Sequence, residues 1–310
     1  MNAKHRALGC GDARRDPMYA TSMAGGGKAS VTARILGSGV SAICELAVFH
    51  PVDTVAKRLM SNRGAVKGRL FDVVFKEAAN KTALQKWGSL FPGVGFGAAY
   101  KILQRIYKFG GQPYVAEYFN RNRTFGDNKT LTQAVSGSLM GIGEVVLLPL
   151  DVLKIKAQTN PEVLKGRGFV NLISKEGMRL YAGTGWTMAR NAPGSFALFG
   201  GNAFAKSCMG LEESFVGEAT LLQNFISSSS GATASIIVAQ PLDVVKTRIQ
   251  ARPFDSPESG THIVKKLLKE EGASAFFKGV TPKLVAVGPK LVFSMTIAQS
   301  LISYFQDKGY

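Results

Sequence analysis

Three short segments of the chain share one pattern: PVDTVAKRLM at residues 51–60, PLDVLKIKAQ at 149–158 and PLDVVKTRIQ at 241–250. Their prolines are 98 and 92 residues apart, and the third closes on a stretch, residues 219–242, that contains no charged side chain. At 1.5 Å per residue such a stretch is long enough to cross a hydrocarbon core of about 30 Å as a helix. A second landmark keeps the same period. KWG ends at Gly88, YAG at Gly183 and FKG at Gly279, spacings of 95 and 96 residues. A fixed period of this kind marks tandem supersecondary units, so the chain divides into a tail, residues 1–30, and three repeats, 31–120, 121–215 and 216–310. The tail is rich in Gly, Ala, Arg and Lys and has no apolar core of a secretory signal. Its GGGKAS, residues 25–30, lacks the first glycine and the Ser or Thr of a phosphate loop.

A mean hydropathy of +0.07 would ordinarily describe a soluble protein. The apolar residues are not evenly spread, however. Stretches with at most one charge occur at roughly 35–52, 89–100, 131–150, 191–205, 219–242 and 291–305, two per repeat. The expected fold is therefore an all-α membrane protein with six transmembrane helices and both termini on one side. The net charge of +17 gathers in the segments after each proline, on residues such as Arg58, Arg63 and Lys76, then Lys154, Lys156 and Lys175, then Lys246, Arg248 and Lys269. Basic loops mark the face that insertion leaves untranslocated. The same charge would suit a protein associated with nucleic acid, but it follows loop positions and comes with no recognised nucleic-acid motif. Cys10, Cys44 and Cys208 are scattered, as are His5, His50 and His262. Neither set makes a metal site, a disulfide framework or a catalytic triad, so no enzyme and no cofactor is expected.

Within a repeat, the odd-numbered span should continue past its proline and kink there. Ser38, Ser136 and Ser228 lie 13 residues before their prolines, beside Gly39, Gly137 and Ser229, where small residues would let helices approach closely. Asp53, Asp151 and Asp243 stand two residues after proline, and Lys154 and Lys246 five after. A lone charge at this depth costs several kcal/mol. Three converging helices would pair the aspartate of one with the lysine of the next and so close the basic end of a central cavity.

The Px[DE]xx[KR]x[RK] pattern, three times at about 100-residue spacing and each time followed by an amphipathic basic segment, resembles the mitochondrial carrier family over residues 31–310. That resemblance implies six tilted helices in pseudo-threefold arrangement, each repeat with a short matrix helix, and alternating-access exchange of metabolites across the mitochondrial inner membrane. It implies a matrix gate of Asp53, Asp151, Asp243, Lys154 and Lys246, braced by Gln158 and Gln250. It also implies termini facing the intermembrane space, a monomer in the lipid bilayer with cardiolipin at the matrix-helix termini, and no stable protein partner. Repeat 1 departs from the pattern: Ala56 stands at the lysine position and Met60 at the glutamine position. Asp243 is then expected to lack its partner unless Lys57 bends in, and Ala56→Lys to strengthen the gate. No acidic partner is visible for an opposite gate around Tyr107 and Lys108, Asn202 and Ala203, or Gln299 and Ala298.

The family's substrate contacts fall seven and eight residues after the aromatic-basic glycine. Counted from Gly88, Gly183 and Gly279, these are Gly95 and Phe96, Arg190 and Asn191, Ala286 and Val287. Arg190 in an apolar span marks a functional position. Lys101, Arg105 and Lys290 lie on the same even-numbered spans, with interface snorkelling as the alternative for them. Such cations suit a multiply charged anion, and the arginine fork suits phosphate. Glu45 and Glu144 lie inside odd-numbered spans, where a carboxylate could read the N1 and N2 edge of guanine, carry a proton or pair with Arg190. FHPVDTVAKRLMSN (49–62) and LFPGVGFGAAYKILQRIYKFGGQP (90–113) resemble the guanine-nucleotide branch of the family, which implies GTP entry in exchange for GDP. A carrier of adenine nucleotides or coenzyme A is the alternative.

Overall fold

A computed structural model describes residues 31–64, 68–126, 129–164, 166, 168–210, 221–255 and 258–307. The expected tail, residues 1–30, lies outside these, as do the side chains of Ser38, Arg105, Lys108, Ala298 and Gln299. The described residues are helical throughout their regular structure, with no strand among them.

In the first repeat a long helix α1 (Val31–Ser61) is followed by the short α2 (Leu70–Phe75) and α3 (Ala83–Gly88) and the long α4 (Val94–Arg121). The second contains α5 (Lys129–Gly143), α6 (Leu148–Thr159), the short α7 (Phe169–Glu176) and the long α8 (Thr184–Cys208). The third contains α9 (Leu221–Gln250), the short α10 (Gly260–Lys266) and α11 (Val280–Asp307). Contacts run from α1 to α4, from α4 to α5 and α6, then through α8, α9 and α11 back to α1. The long helices therefore form a closed ring of six units.

Pro51 and Pro241 lie inside continuous helices. In the second repeat the expected kink is a break instead: Glu144–Leu147 form a 3₁₀ turn between α5 and α6. Pro149 has no N–H to offer Val145, four residues back, and the tighter turn absorbs the missing bond.

The outside of the ring is apolar and its inside is charged, the reverse of a soluble bundle. Ile43, Val48, Ile106, Phe196, Phe204, Val285 and Val292 are exposed, whereas Asp151, Lys154, Asp243 and Lys246 are buried. By length and hydropathy alone, only residues 39–61 among those described would be called a span. The other helices carry inward-facing polar groups that dilute their averages. For the same reason the even helices extend past the apolar windows, taking in Lys101, Arg190, Lys283 and Lys290.

The close helix approaches differ from those expected. Among the described residues nothing lies near a Cβ built on Gly39, and Gly137 accommodates the ring of Phe199. Among the described residues α8 and α9 cross closely, where a Cβ on Gly231 would fall 2.3 Å from the Leu198 carbonyl oxygen and one on Gly201 3.1 Å from the Gly231 Cα. Small residues at that crossing bring two backbones into contact.

The even helices start on glycines with positive φ: Gly93 at 75°, Gly183 at 81° and Gly279 at 77°. Each glycine rests on the segment after the proline of another repeat. A Cβ on Gly93 would lie 2.6 Å from the Ala157 Cβ, one on Gly183 3.4 Å from Ile249, and one on Gly279 2.6 Å from the Ala56 carbonyl oxygen. Threefold equivalence thus joins Gly93, not Gly88, to Gly183 and Gly279. Gly88 ends α3, and five residues separate it from the true start of α4.

Gly279→Ala should therefore lower stability by about 1–3 kcal/mol, since it adds left-handed strain to a contact with rigid backbone. Gly185→Ala, at a helical position with open space, should be neutral or slightly stabilising. Thermal unfolding of the two purified proteins in detergent checks the difference.

Candidate functional site

Below the prolines the three odd-numbered units converge, and the buried Asp151 and Asp243 and the partly exposed Asp53 meet cations from neighbouring helices. Lys154 of α6 reaches Asp53 of α1 at 3.6 Å, and Lys246 of α9 reaches Asp151 of α6 at 2.6 Å. Asp243 was expected to be left over, because Ala56 replaces the lysine that would meet it. It has two partners instead: Arg190 of α8 at 2.9 Å and Lys283 of α11 at 2.6 Å. Lys57 does not fill the gap but donates to the Thr247 hydroxyl at 3.1 Å. Ala56 is 1% exposed and packs with Met60, Val244 and Val245. Lys283, four residues past Gly279, was not picked out from the sequence; a lysine in the first turns of an otherwise apolar helix was the available signal.

The two glutamines lie beneath these pairs. Gln158 donates to the Thr54 hydroxyl at 3.1 Å, one residue from Asp53, while Gln250 reaches the Ala182 carbonyl oxygen at 3.5 Å. Their own carbonyl oxygens have no donor among the described residues. Where Met60 stands in place of a third glutamine, its sulfur accepts from Thr247 at 3.5 Å. The links therefore fasten helix to helix beside the ion pairs.

A second belt runs below, on the basic residue seven positions after each proline. Arg58 donates to the Gln158 carbonyl oxygen at the end of α6, Lys156 to that of Arg252 just past α9, and Arg248 to that of Met60 at the end of α1. Each cation so meets the negative end of another odd-numbered helix, where the macrodipole favours it. Arg248 also holds Glu271, which Lys278 meets at 2.5 Å. Burial opposes ionisation of Glu271, but the bonds from Arg248 and Lys278 prevail and hold its carboxyl below the ordinary value.

Above the ion pairs, Glu45 of α1 receives Lys101 of α4 at 2.7 Å and Lys290 of α11 at 3.3 Å. Glu144, in the 3₁₀ break, accepts from the Tyr100 hydroxyl and the Gln104 amide of α4. Asn191 accepts from Arg190 at 3.0 Å and donates to the Gly141 carbonyl oxygen at 2.6 Å, so its amide positions the arginine against α5. With Gly93 as the reference, the positions equivalent to Arg190 and Asn191 are Tyr100 and Lys101. Gly95 and Phe96 were reached by counting from the wrong glycine: Gly95 faces open space and Phe96 packs on the cluster around Leu148 and Val152. At the far end, the Tyr107 hydroxyl lies against Gly143 and the Asn202 backbone against Gly231.

Two outcomes follow. Ala56→Lys should destabilise the protein rather than strengthen its gate, because the added charge would enter an apolar cluster beside a carboxylate that is already doubly paired; thermal unfolding reads the sign. The Glu271 contribution to stability should be full above the unfolded value of about pH 4.5 and lost as the pH falls from there through the lowered folded value. Glu271→Gln should then unfold with a flatter pH dependence on the acid side.

The sequence profile described as "Mitochondrial carrier protein" matches residues 126–212 and 217–309, more than half of the chain. A protein of Saccharomyces cerevisiae named mitochondrial GTP/GDP carrier protein 1 is 56% identical over 292 residues, covering 90% of this chain and 97% of the relative. An uncharacterized mitochondrial carrier of Schizosaccharomyces pombe is also 56% identical, over 288 residues, covering 90% and 96%. Mitochondrial citrate transporter D of Aspergillus niger is 25% identical over 292 residues, covering 88% and 94%. With its closed ring of six helical units, three proline motifs and ion pairs between them, the chain belongs to the mitochondrial carrier family.

Proposed function

We propose that this chain is an antiporter of the mitochondrial inner membrane that exchanges guanine nucleotides, GTP into the matrix for GDP, by alternating access. The observation that carries the reading is the gathering of Lys101, Lys290, Arg190 and Lys283 on two carboxylates, Glu45 and Asp243, inside the ring. Four cationic groups already held at fixed positions by weaker anions are hosts for a polyphosphate, which offers more charge and more acceptor oxygens than a carboxylate. The high identity to the yeast relative, over nearly its full length, supports the choice of guanine nucleotides.

In this reading the belt of Asp53, Asp151, Asp243, Lys154 and Lys246, with Gln158 and Gln250 below, is the matrix gate, and it is shut. Both termini face the intermembrane space, the protein acts as a monomer, and cardiolipin headgroups sit at the termini of the short helices α2, α7 and α10. The repeats behave as the units 31–120, 121–215 and 216–310. Lys101, Lys290 and Arg190 meet phosphate, with Asn191 positioning the arginine. Glu144, Gln104 and Tyr100 present a carboxylate, an amide and a hydroxyl together, a set matched to the hydrogen-bonding edge of guanine.

Liposomes containing the purified protein and loaded with GDP, ADP or coenzyme A test the reading directly. Uptake of labelled GTP should be fastest against internal GDP, and faster uptake against ADP or coenzyme A would replace guanine nucleotides with that substrate. Glu144→Gln should then weaken competition by GDP by about 1–3 kcal/mol and by IDP, which lacks the N2 amine, by less. An unchanged preference of GDP over IDP would move base recognition away from Glu144.

A further inference from the structure

The three gate carboxylates differ in where their cations come from. Asp53 and Asp151 are met by lysines of the proline motifs, on neighbouring odd-numbered units. Asp243 is met by Arg190 and Lys283, both on even helices, the helices whose inner faces also carry Lys101 and Lys290. The Arg190 side chain is 36% exposed while Asp243 is 7% exposed, so the guanidinium can be reached from the interior and the carboxylate behind it is covered. Lys283 is poised by a second acceptor, the Gln240 side-chain oxygen at 3.0 Å, and the Gln240 amide is fixed to the Lys278 carbonyl oxygen at 2.7 Å. Lys290 follows Lys283 by seven residues, two turns along the same face of α11.

We propose, resting on the nucleotide reading above, that Arg190 and Lys283 form a latch worked by the substrate phosphate. In the empty protein they hold Asp243 and keep the third side of the gate shut. An incoming phosphate chain competes for the same donors, and they transfer to it, leaving Asp243 without its cations. The physics is a competition between anions. A phosphate brings a larger charge and a geometry that the arginine fork meets with two bonds, whereas Asp243 takes only the Arg190 Nε at 2.9 Å. A buried carboxylate stripped of its partners is costly, so the end of α9 that carries Asp243 is driven toward water. Binding energy is thereby converted into gate opening at one named contact. The other two carboxylates take their direct ion pairs from motif lysines on the odd-numbered units.

The test uses the full-length protein, in liposomes for exchange and in detergent for thermal unfolding with and without GTP. Asp243→Asn removes the competitor while preserving shape, so the KM for GTP should fall by about tenfold, the size of effect expected of one charge-assisted bond, and GTP should raise the unfolding temperature more than in the unaltered protein. Asp151→Asn also loses a gate pair, but one not shared with substrate, and should change the exchange rate without lowering KM. Equal KM changes in both variants, or a rise in KM for Asp243→Asn, would overturn the latch. Should Asp243→Asn fail to fold, Lys283→Gln decides the question: its KM should rise more for GTP than for GMP, Lys283→Arg should restore much of the loss, and an equal loss for both nucleotides would overturn the proposal. Failure of the nucleotide reading looks different, because the unaltered protein would then exchange no GTP for GDP at all.

Discussion

A carboxylate enclosed among helices at membrane depth either finds a cation or draws water to itself. Asp53, Asp151 and Asp243 put that demand at one level on three helices, and meeting it forces the three to converge. The proline two residues above each aspartate removes one helix hydrogen bond at that level, and in the second repeat the helix breaks there. Much else follows: the even helices start where their glycines can sit on the converged segments, the basic residues seven past the prolines fall beside the carbonyl ends of other helices, and α11 closes onto α1. Yet the net worth of such pairs is small. Desolvation of two ions offsets most of their mutual attraction, although removing one partner costs about 3–5 kcal/mol. A gate built of such pairs would be shut without being deep, and a ligand of ordinary affinity could shift it.

Threefold repetition gives the chain a ring, but the nucleotide of the proposed reading has no threefold symmetry, and the departures from repetition are where the chain would address it. At the level of Arg190 and Asn191 the other repeats present Tyr100 and Lys101, then Ala286 and Val287. The cations of α11 lie elsewhere, at Lys283 and Lys290, below and above that apolar pair. Ala56 is part of the same pattern. Without a motif lysine, Asp243 takes its cations from helices that also face the interior, and a structural pair becomes one that a substrate can reach. A loss in repeat 1 and two gains in repeats 2 and 3 make one functional unit.

The fold was largely legible because its cause is local and repeated. Proline, aspartate and lysine at fixed offsets state the kink, the depth and the pairing together, and Asp53 with Lys154 and Asp151 with Lys246 sit as the spacing requires. What was not legible depended on register between repeats. KWG and FKG look alike as strings, but Gly88 ends a helix while Gly279 begins one at φ 77°, and only backbone conformation separates those roles. That five-residue offset put Gly95 and Phe96 in the place of Tyr100, and left Lys101, singled out by its charge alone, without its position beside Arg190 and Asn191. The partner of Asp243 was missed for a related reason: a search among motif lysines stays on the odd-numbered spans, whereas Arg190 and Lys283 approach from the side. The break before Pro149 was equally silent, since nothing distinguishes its proline from Pro51 and Pro241 in the sequence alone.

The latch bears on why such a protein would exchange rather than release. Passage of the empty carrier between its two faces requires Asp243 to part from Arg190 and Lys283 with nothing to replace it. At about 3–5 kcal/mol for breaking a buried pair, that step is slowed roughly 10² to 10³-fold or more relative to one in which phosphate takes over the cations. In the proposed exchange, a nucleotide keeps the same cations from ever being without an anion, and the transition proceeds. The other two pairs part in both cases and so cancel from the comparison. Coupling of one nucleotide entering to one leaving then needs no separate device: it follows from two cations that must always be held, first by Asp243 and then by the passenger.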